Sequence, residues 1–345
     1  MRVALVAHET THRRDRQGLA RVETVAEALA GRGHEVALFC SQWWADHQLR
    51  HDAERVSYRA ATVAPATTSF CARLPFLIAR FRPDVVHATP APPVSVLAAS
   101  AGATLSRAPL IVDWYGDEPV AGARTLERAS KTPDTVVTPS RHIATRVQNY
   151  GASSPEVIPE WVEFDRIRGT DPTHEADIVA GRRLDEDANL ESLLLALAEH
   201  RRHDWSCTVF GDGPAREAYE QQASDLRIGD RVTFAGRASR EERIAAYRGA
   251  HVFVHTAKKE EFATELLWAL ACGCVGIVEY QADSAAHELV ERRDRGFRAT
   301  TPEEIEEAIV DAGDLSEQTI DEALLPFDRE NVLEQYLDCY RDAGA

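Results

Sequence analysis

The residues best suited to chemistry cluster in one short stretch of the second half of the chain. Lys258 and Lys259 adjoin Glu260, and a helical pattern opens at Ala263 and Thr264. The first turn of a helix carries amide N–H groups without intrahelical partners and the positive end of the backbone dipole. Together these bind anions, phosphates in particular. An ammonium from either lysine would add charge to such a cradle; the alternative is an exposed basic pair. Glu265 falls in the same first turn, where a carboxylate competes with a phosphate for the same N–H groups, so it is either the cap of the helix or a ligand contact. His251 and His255 lie four apart on a predicted strand and share a face. They lack carboxylate partners, so they are read as ordinary histidines and no metal site is assigned. Gly18 follows the first predicted strand and either lets the backbone approach a ligand or makes a simple turn.

Missing motifs exclude other chemistries. The first strand leads into His8, Glu9 and Thr10, not into the GxGxxG turn of a dinucleotide-binding domain. Gly211-Asp212-Gly213 supplies two glycines, but Arg216 stands at the third position. No GxxxxGK[ST] or GxSxG occurs. The six cysteines are scattered without a CxxC pair. Cys272 and Cys274, flanking Gly273, read as small buried residues rather than metal or redox groups.

The elements that must position these residues follow from the apolar pattern. Runs at 2–7, 35–39, 84–88, 110–113 and 135–138 predict strands, with helical stretches between them such as 19–32. Near-continuous apolar strands spaced by helices imply a parallel sheet covered on both faces. The rhythm restarts with strands at 178–180, 206–210, 231–234, 251–255 and 276–279. Helices fall between them at 190–200, 215–226, 241–248 and 264–271. Ser140 is placed to cap a helix that Gly151 stops. Ser239 with Glu242, and Thr301 with Glu304, match the capping box, and Pro302 takes the first helical position. The segment 70–81 mixes Arg73 and Arg80 with apolar residues. It is read as a crossover helix, with membrane-surface contact as the alternative. The proline- and charge-rich stretch 155–172 separates the halves. The expected domains are 1–163 and 164–325, with a last helix, 326–345, packing back on the first domain. Two such α/β halves leave a cleft at the carboxyl ends of their strands, where ligands bind.

Size and charge bound the rest. With 345 residues, 44% of them apolar, the chain suits two domains of roughly 150 residues. No apolar run approaches the roughly 20 residues of a membrane span. The opening MRVALVAHETTHRRD lacks the features of a signal peptide, so the protein is read as cytoplasmic, with peripheral contact at the inner membrane face as the alternative. A net charge of −17 makes nucleic acid a poor partner. Of the 39 basic residues only Lys131, Lys258 and Lys259 are lysines. Such an acidic, lysine-poor surface resembles that of proteins from extreme halophiles such as haloarchaea, whose salt screens the self-repulsion.

An ordered series of segments in the second half is more informative. It runs Ala180-Gly181-Arg182-Arg183-Leu184, Val209-Phe210-Gly211-Asp212-Gly213-Pro214, Arg231-Val232-Thr233-Phe234-Ala235-Gly236 and Val252-Phe253-Val254-His255-Thr256. It ends with Glu260-Glu261-Phe262-Ala263, Ala269-Leu270-Ala271-Cys272-Gly273 and Glu288-Leu289-Val290. In order and spacing this resembles the donor-binding domain of the family 4 retaining glycosyltransferases. In the first half, Arg32-Gly33-His34-Glu35-Val36, Arg82-Pro83-Asp84-Val85-Val86-His87, Thr138-Pro139-Ser140 and Val157-Ile158-Pro159 fit the same family.

The resemblance implies an α/β fold of two Rossmann-like domains facing across a cleft, the GT-B architecture. It implies transfer of a sugar from a nucleotide-diphosphate donor to a hydroxyl acceptor, lipid-linked or glycan, with retention and without metal or cofactor. Arg183, or Arg182 one residue earlier, would stabilise the departing diphosphate with the amides at Ala263 and Thr264. Glu260 would hold the donor sugar, and His87, Asp113 and Tyr115 are acceptor-side candidates, with His87 catalytic. Three positions depart from the family pattern: Ala188 replaces a phosphate lysine, Trp268 a glutamate and Tyr115 a histidine. Lys258, Lys259 and Glu265 are candidate substitutes. Trp268 either stacks on the ligand or packs in the core. The departures motivate a second reading, a non-catalytic protein that binds a nucleotide sugar and supports a partner transferase.

Overall fold

The computed structural model describes every residue except 46, 47, 54, 120 and 201–203. The chain divides into two compact units, Met1–Pro159 with Val332–Ala345, and Glu160–Asn331.

The first unit is built on β1 (Arg2–Val6), α1 (Gln17–Gly31), β2 (Glu35–Ser41), β3 (Arg50–Ala53), β4 (Val56–Thr62), α2 (Thr67–Phe81), β5 (Val85–Ala88), α3 (Val94–Ser106), β6 (Leu110–Asp113), α4 (Ala123–Lys131), β7 (Thr135–Thr138), α5 (Arg141–Asn149) and β8 (Glu156–Val157). The sheet order is β3-β4-β2-β1-β5-β6-β7-β8, parallel except for the antiparallel edge strand β3. Val3 to Val6 and Val85 to Ala88 have no exposed surface, as continuous apolar strands between two helix layers require. The periodicity of 70–81 becomes the crossover helix α2. It buries Phe70, Leu74, Ile78 and Phe81 while Phe76 stays exposed. Strands β3 and β4 carry exposed Arg50 and Asp52 and the polar Ser57 and Arg59, so they lack the apolar run that marks the central strands.

The second unit runs α6 (Phe164–Arg168), β9 (Ile178–Gly181), α7 (Leu190–Glu199), β10 (Cys207–Phe210), α8 (Arg216–Asp225), β11 (Val232–Gly236), α9 (Arg240–Gly249), β12 (Val252–His255), β13 (Lys259–Glu260), α10 (Thr264–Ala271), β14 (Val275–Glu279), β15 (Asp283–Ser284), β16 (Gly296–Ala299) and α11 (Pro302–Ala312). Its six-stranded sheet, β11-β10-β9-β12-β14-β16, is parallel throughout. Ser239 and Glu242 close the capping box on α9. Ser140 and Thr301 cap α5 and α11, with Pro302 opening α11. The last helix, α12 (Arg329–Asp342), buries Tyr336 and Tyr340, both of which belong to the first unit. Among the described residues no helix is long and apolar enough to cross a membrane.

Candidate functional site

In a doubly wound parallel sheet, ligands bind beyond the carboxyl ends of the strands where the strand order reverses. In the second unit that reversal lies between β9 and β12. The loop after β9 begins with Arg182, and the segment after β12 carries Lys258, Lys259 and Glu260. The topology therefore assembles residues nearly eighty positions apart. Arg182 Nη1 lies 3.4 Å from Glu260 Oε2, and its Nε donates to the Arg183 carbonyl at 3.2 Å. The backbone behind it is fixed by the 211–213 turn. The Arg182 amide donates to Phe210 at 3.1 Å and the Leu184 amide to Asp212 at 3.1 Å. Gly211 has a φ of +125°, and a Cβ there would collide with the Arg182 carbonyl; a Cβ on Gly213 would collide with that of Leu184. These two glycines seat the arginine loop.

Burial pushes the Glu260 carboxyl up to about 7. Arg182 opposes the shift, and the nearby Glu261, Asp185 and Glu265 add to it. His255 is 4% exposed, with Nε2 3.8 Å from Glu260 Oε2. Burial, then the Arg182 charge, lowers its pKa to about 3, so the ring is neutral. Its Nε2 has no hydrogen-bond partner among the described residues. Four residues beyond Glu260, α10 starts at Thr264 with no side chain capping its amides. An arginine, a carboxyl with a raised pKa, a neutral imidazole and an uncapped helix start can bind a ligand that is anionic at one end and hydroxylated at the other.

The other sequence candidates are placed differently. Glu265 does not cap α10. Its carboxylate turns to α9, where Arg240 Nη1 donates at 3.0 Å, the Tyr247 hydroxyl at 2.7 Å, and Arg243 also donates. Its charge is thus taken by two arginines whose distance in sequence hides the contact. Both adjacent arginines lie 3.6 Å from Asp185, but Arg182 also meets Glu260, whereas the Arg183 side chain is 66% exposed. Lys258 pairs with Glu191 at 3.2 Å and Lys259 lies 3.8 Å from Glu261, both well exposed. Trp268 packs in the core with the Arg240 guanidinium 4.7 Å from its ring, and Ala188 is buried. His251 donates through Nε2 to the Ala312 carbonyl at 2.7 Å, apart from the surroundings of His255.

In the first unit, His87 has no exposed surface. Its Nδ1 is 2.6 Å from the Tyr340 hydroxyl and its Nε2 3.7 Å from Asp113 Oδ2. The expectation of a catalytic His87 is therefore corrected: Tyr336 and Tyr340 of α12 pack on the ring and it has no exposed surface on which to meet a substrate. Asp113 accepts from Arg21 Nε at 2.8 Å and the Tyr336 hydroxyl at 2.7 Å. Burial would raise its pKa, but the Arg21 charge, His87 and Tyr336 hold it at about 2. Tyr115 is buried as well. Gly18 lies in the first turn of α1, not in a loop. Its amide donates to Asp117 Oδ2 at 3.1 Å, and a Cβ would stand 2.8 Å from Asp117 Oδ1 and 2.9 Å from Tyr115 Cβ. It serves close packing between α1 and that segment.

Sequence reasoning missed the contribution of His255, visible only as half of a histidine pair, and of Asp185. It also missed Arg21, whose place on the buried face of α1 breaks the apolar pattern.

With this geometry in hand, comparison with known proteins identifies the class. Residues 163–318 match the family model for glycosyl transferases group 1, and residues 20–166 match that for glycosyltransferase family 4. The chain is a glycosyltransferase of the GT-B architecture, with two Rossmann-like units. It is 28% identical over 279 residues to a GDP-mannose-dependent alpha-(1-6)-phosphatidylinositol monomannoside mannosyltransferase of Mycobacterium tuberculosis, covering 73% of this chain and 71% of that protein. A glycosyltransferase from Rickettsia africae shares the fold with a TM-score of 0.80 at 16% identity, over 99% of this chain and 98% of that one. Anabaena HepE, solved in complex with UDP, does so with a TM-score of 0.76 at 14% identity, over 99% and 100%.

Proposed function

We propose that the protein is a retaining glycosyltransferase that moves a sugar from a nucleotide-diphosphate donor to a hydroxyl acceptor. The observation that carries this reading is the Arg182–Glu260 pair at the turning point of the second sheet, four residues ahead of the uncapped start of α10. As the bond between sugar and diphosphate breaks, negative charge grows on the leaving oxygen. A fixed guanidinium and oriented amides lower the energy of that state more than of the ground state. Arg182 and the α10 amides take this role, and the reading needs no metal ion or cofactor. Glu260 binds the donor sugar: ionised, its oxygens accept two hydroxyl hydrogen bonds; protonated, it also donates one. The neutral His255 Nε2 adds a further partner for a hydroxyl. The GDP-mannose dependence of the mycobacterial relative and the UDP bound by HepE support a nucleotide-sugar donor. The relative's phosphatidylinositol-based acceptor supports a lipid-linked one here.

The test is nucleotide release from UDP-, GDP- and ADP-sugars by the purified protein. Turnover of one donor, lost in Glu260→Ala, is expected. Tight nucleotide binding without turnover of any donor would favour instead a binding protein that supports a partner transferase. The replacement of a phosphate lysine by the buried Ala188 motivates that second reading.

A further inference from the structure

Two arginines and one carboxylate meet beside the start of α10, and their charges do not cancel. Arg240 Nη1 donates to Glu265 Oε1 at 3.0 Å, and Arg243 donates to the same oxygen. The Tyr247 hydroxyl donates to Oε2 at 2.7 Å. Among the described residues neither arginine pairs with any other carboxylate. The acidic neighbours on α9 are engaged elsewhere, Glu241 by Arg166 and Glu242 by the capping box with Ser239. One positive charge is therefore left over. Side-chain exposures of 23% for Arg240 and 24% for Arg243 leave it within reach of solvent. The placement is unfavourable for the helix that carries it. Arg240 is the first residue of α9 and Arg243 comes three positions later, so two like charges are neighbours at the positive end of the helix dipole. A single arginine would tie Glu265 to α9. A pair that breaks both local rules is expected where function requires it.

The cluster adjoins the donor site on two sides. Glu265 lies in the first turn of α10, whose amides no side chain caps, and it is near enough to Glu260 to add to the rise of that carboxyl. Tyr247 reaches the other wall. A Cβ on Gly181, the residue before Arg182, would stand 2.7 Å from its hydroxyl. Trp268 steadies Arg240, whose guanidinium lies 4.7 Å from the ring. The lysines beside Glu260 offer no such surplus, since Lys258 is answered by Glu191 and Lys259 by Glu261.

We propose that Arg240 and Arg243 together supply the second positive charge for the donor's diphosphate, the charge that the buried Ala188 does not provide, and that Glu265 holds the pair in place while cancelling half of it. They are positioning residues: they act through the electrostatic field at the start of α10, and Arg182 remains the contact to the leaving group. The inference rests on the transferase reading for its ligand, a nucleoside diphosphate.

The full-length chain is titrated calorimetrically with GDP, GMP and guanosine and with UDP, UMP and uridine, and each variant is also unfolded in denaturant. Arg240→Gln and Arg243→Gln are expected to weaken the diphosphate at least about threefold, the monophosphate less and the nucleoside not at all, because the lost term is a charge–charge attraction. The losses should shrink as salt is raised. Arg243→Lys, which keeps the charge, should bind the diphosphate nearly as the parent does. Glu265→Gln separates this role from a structural one. It removes the negative charge and keeps the shape, so the diphosphate should bind more tightly although the variant unfolds more easily. A purely structural cluster would lose affinity together with stability. Weaker or unchanged diphosphate binding in Glu265→Gln, or equal losses for nucleoside and diphosphate in the two glutamine variants of the arginines, overturns the proposal. A parent that binds neither diphosphate overturns the proposal and the donor reading together. A parent that binds one of them and turns over its sugar, while all the variants bind it alike, overturns the proposal alone.

Discussion

Each unit holds an arginine, a carboxylate and a histidine in contact, and the two sets behave in opposite ways. In the first unit Asp113 receives Arg21 and Tyr336 at 2.8 and 2.7 Å, and Arg21 spends a further N–H on the Ile158 carbonyl at 2.6 Å. The carboxyl is held at about 2. In the second unit Glu260 meets Arg182 only at 3.4 Å, the neighbouring carboxylates push against it, and its carboxyl rises to about 7. The difference lies in how the carboxylate is held, since each set leaves a histidine Nε2 without a hydrogen-bond partner among the described residues. Short hydrogen bonds to Asp113 make that set part of the core. The Glu260 carboxyl, by contrast, is met by Arg182 through one long contact while Arg182 also serves Asp185 and two backbone carbonyls, and such a raised carboxyl is common at functional sites.

The comparison can be broken most forcefully at Arg21. Arg21→Leu would leave the Asp113 charge buried without its cation, at a cost of about 3–5 kcal/mol, read by denaturant unfolding. Arg182→Leu should cost far less stability while removing donor binding. If the two variants unfold alike, the contrast between core and site fails.

Acidity sharpens the same contrast. Asp113 is depressed in the folded state, so its contribution is present above pH 4 and is lost as pH falls from about 4 to about 2, on the order of 2 kcal/mol. Glu260 is raised, so the native state gains stability as pH falls from about 7 to about 4.5 and loses it again as pH rises through 7. Stability–pH profiles of Asp113→Asn and Glu260→Gln, each set against the parent, should differ in these two separate windows. A flat difference profile for Glu260→Gln would show that its environment is not as described.

Smaller effects follow. Glu265→Ala should cost about 1–3 kcal/mol by denaturant unfolding, because it leaves Arg240, Arg243 and the buried Tyr247 hydroxyl without this carboxylate, and Glu265→Gln should cost less. Gly18→Ala should cost about 1–3 kcal/mol through overpacking against Tyr115 and Asp117, seen as a lowered melting temperature. Arg183→Ala should change stability by no more than about 0.5 kcal/mol and reduce turnover less than Arg182→Ala does.

Much of the scaffold was legible in the sequence because central strands of a covered parallel sheet are continuous apolar runs. The strands at 110–113 and 135–138 appear with the expected limits, and the caps at Ser140, Ser239 and Thr301 could be read from side-chain type and spacing. Strands β3 and β4 could not, because their polar residues hide the pattern. At the site, the resemblance named two loops that the structure brings together and left Arg183 and Arg182 as alternatives within one of them. Arg182 and Arg183 are adjacent and chemically equal in the sequence; only the turn held by Gly211 and Gly213 decides which faces Glu260. His87 looked available because nothing local shows that α12, some 250 residues later, covers it. Glu265 read as either a cap or a ligand contact for the same reason: its partners lie on another helix.

The central claim, that Arg182 reads the diphosphate and Glu260 reads the sugar, is tested most directly by splitting the donor. Affinities of the parent, Arg182→Ala and Glu260→Gln are measured by calorimetry for the nucleotide sugar that is turned over and for its nucleoside diphosphate alone. Arg182→Ala should weaken both ligands, and Glu260→Gln should weaken the nucleotide sugar while leaving the diphosphate unchanged. Loss of both ligands, or of neither, in Glu260→Gln would contradict the account.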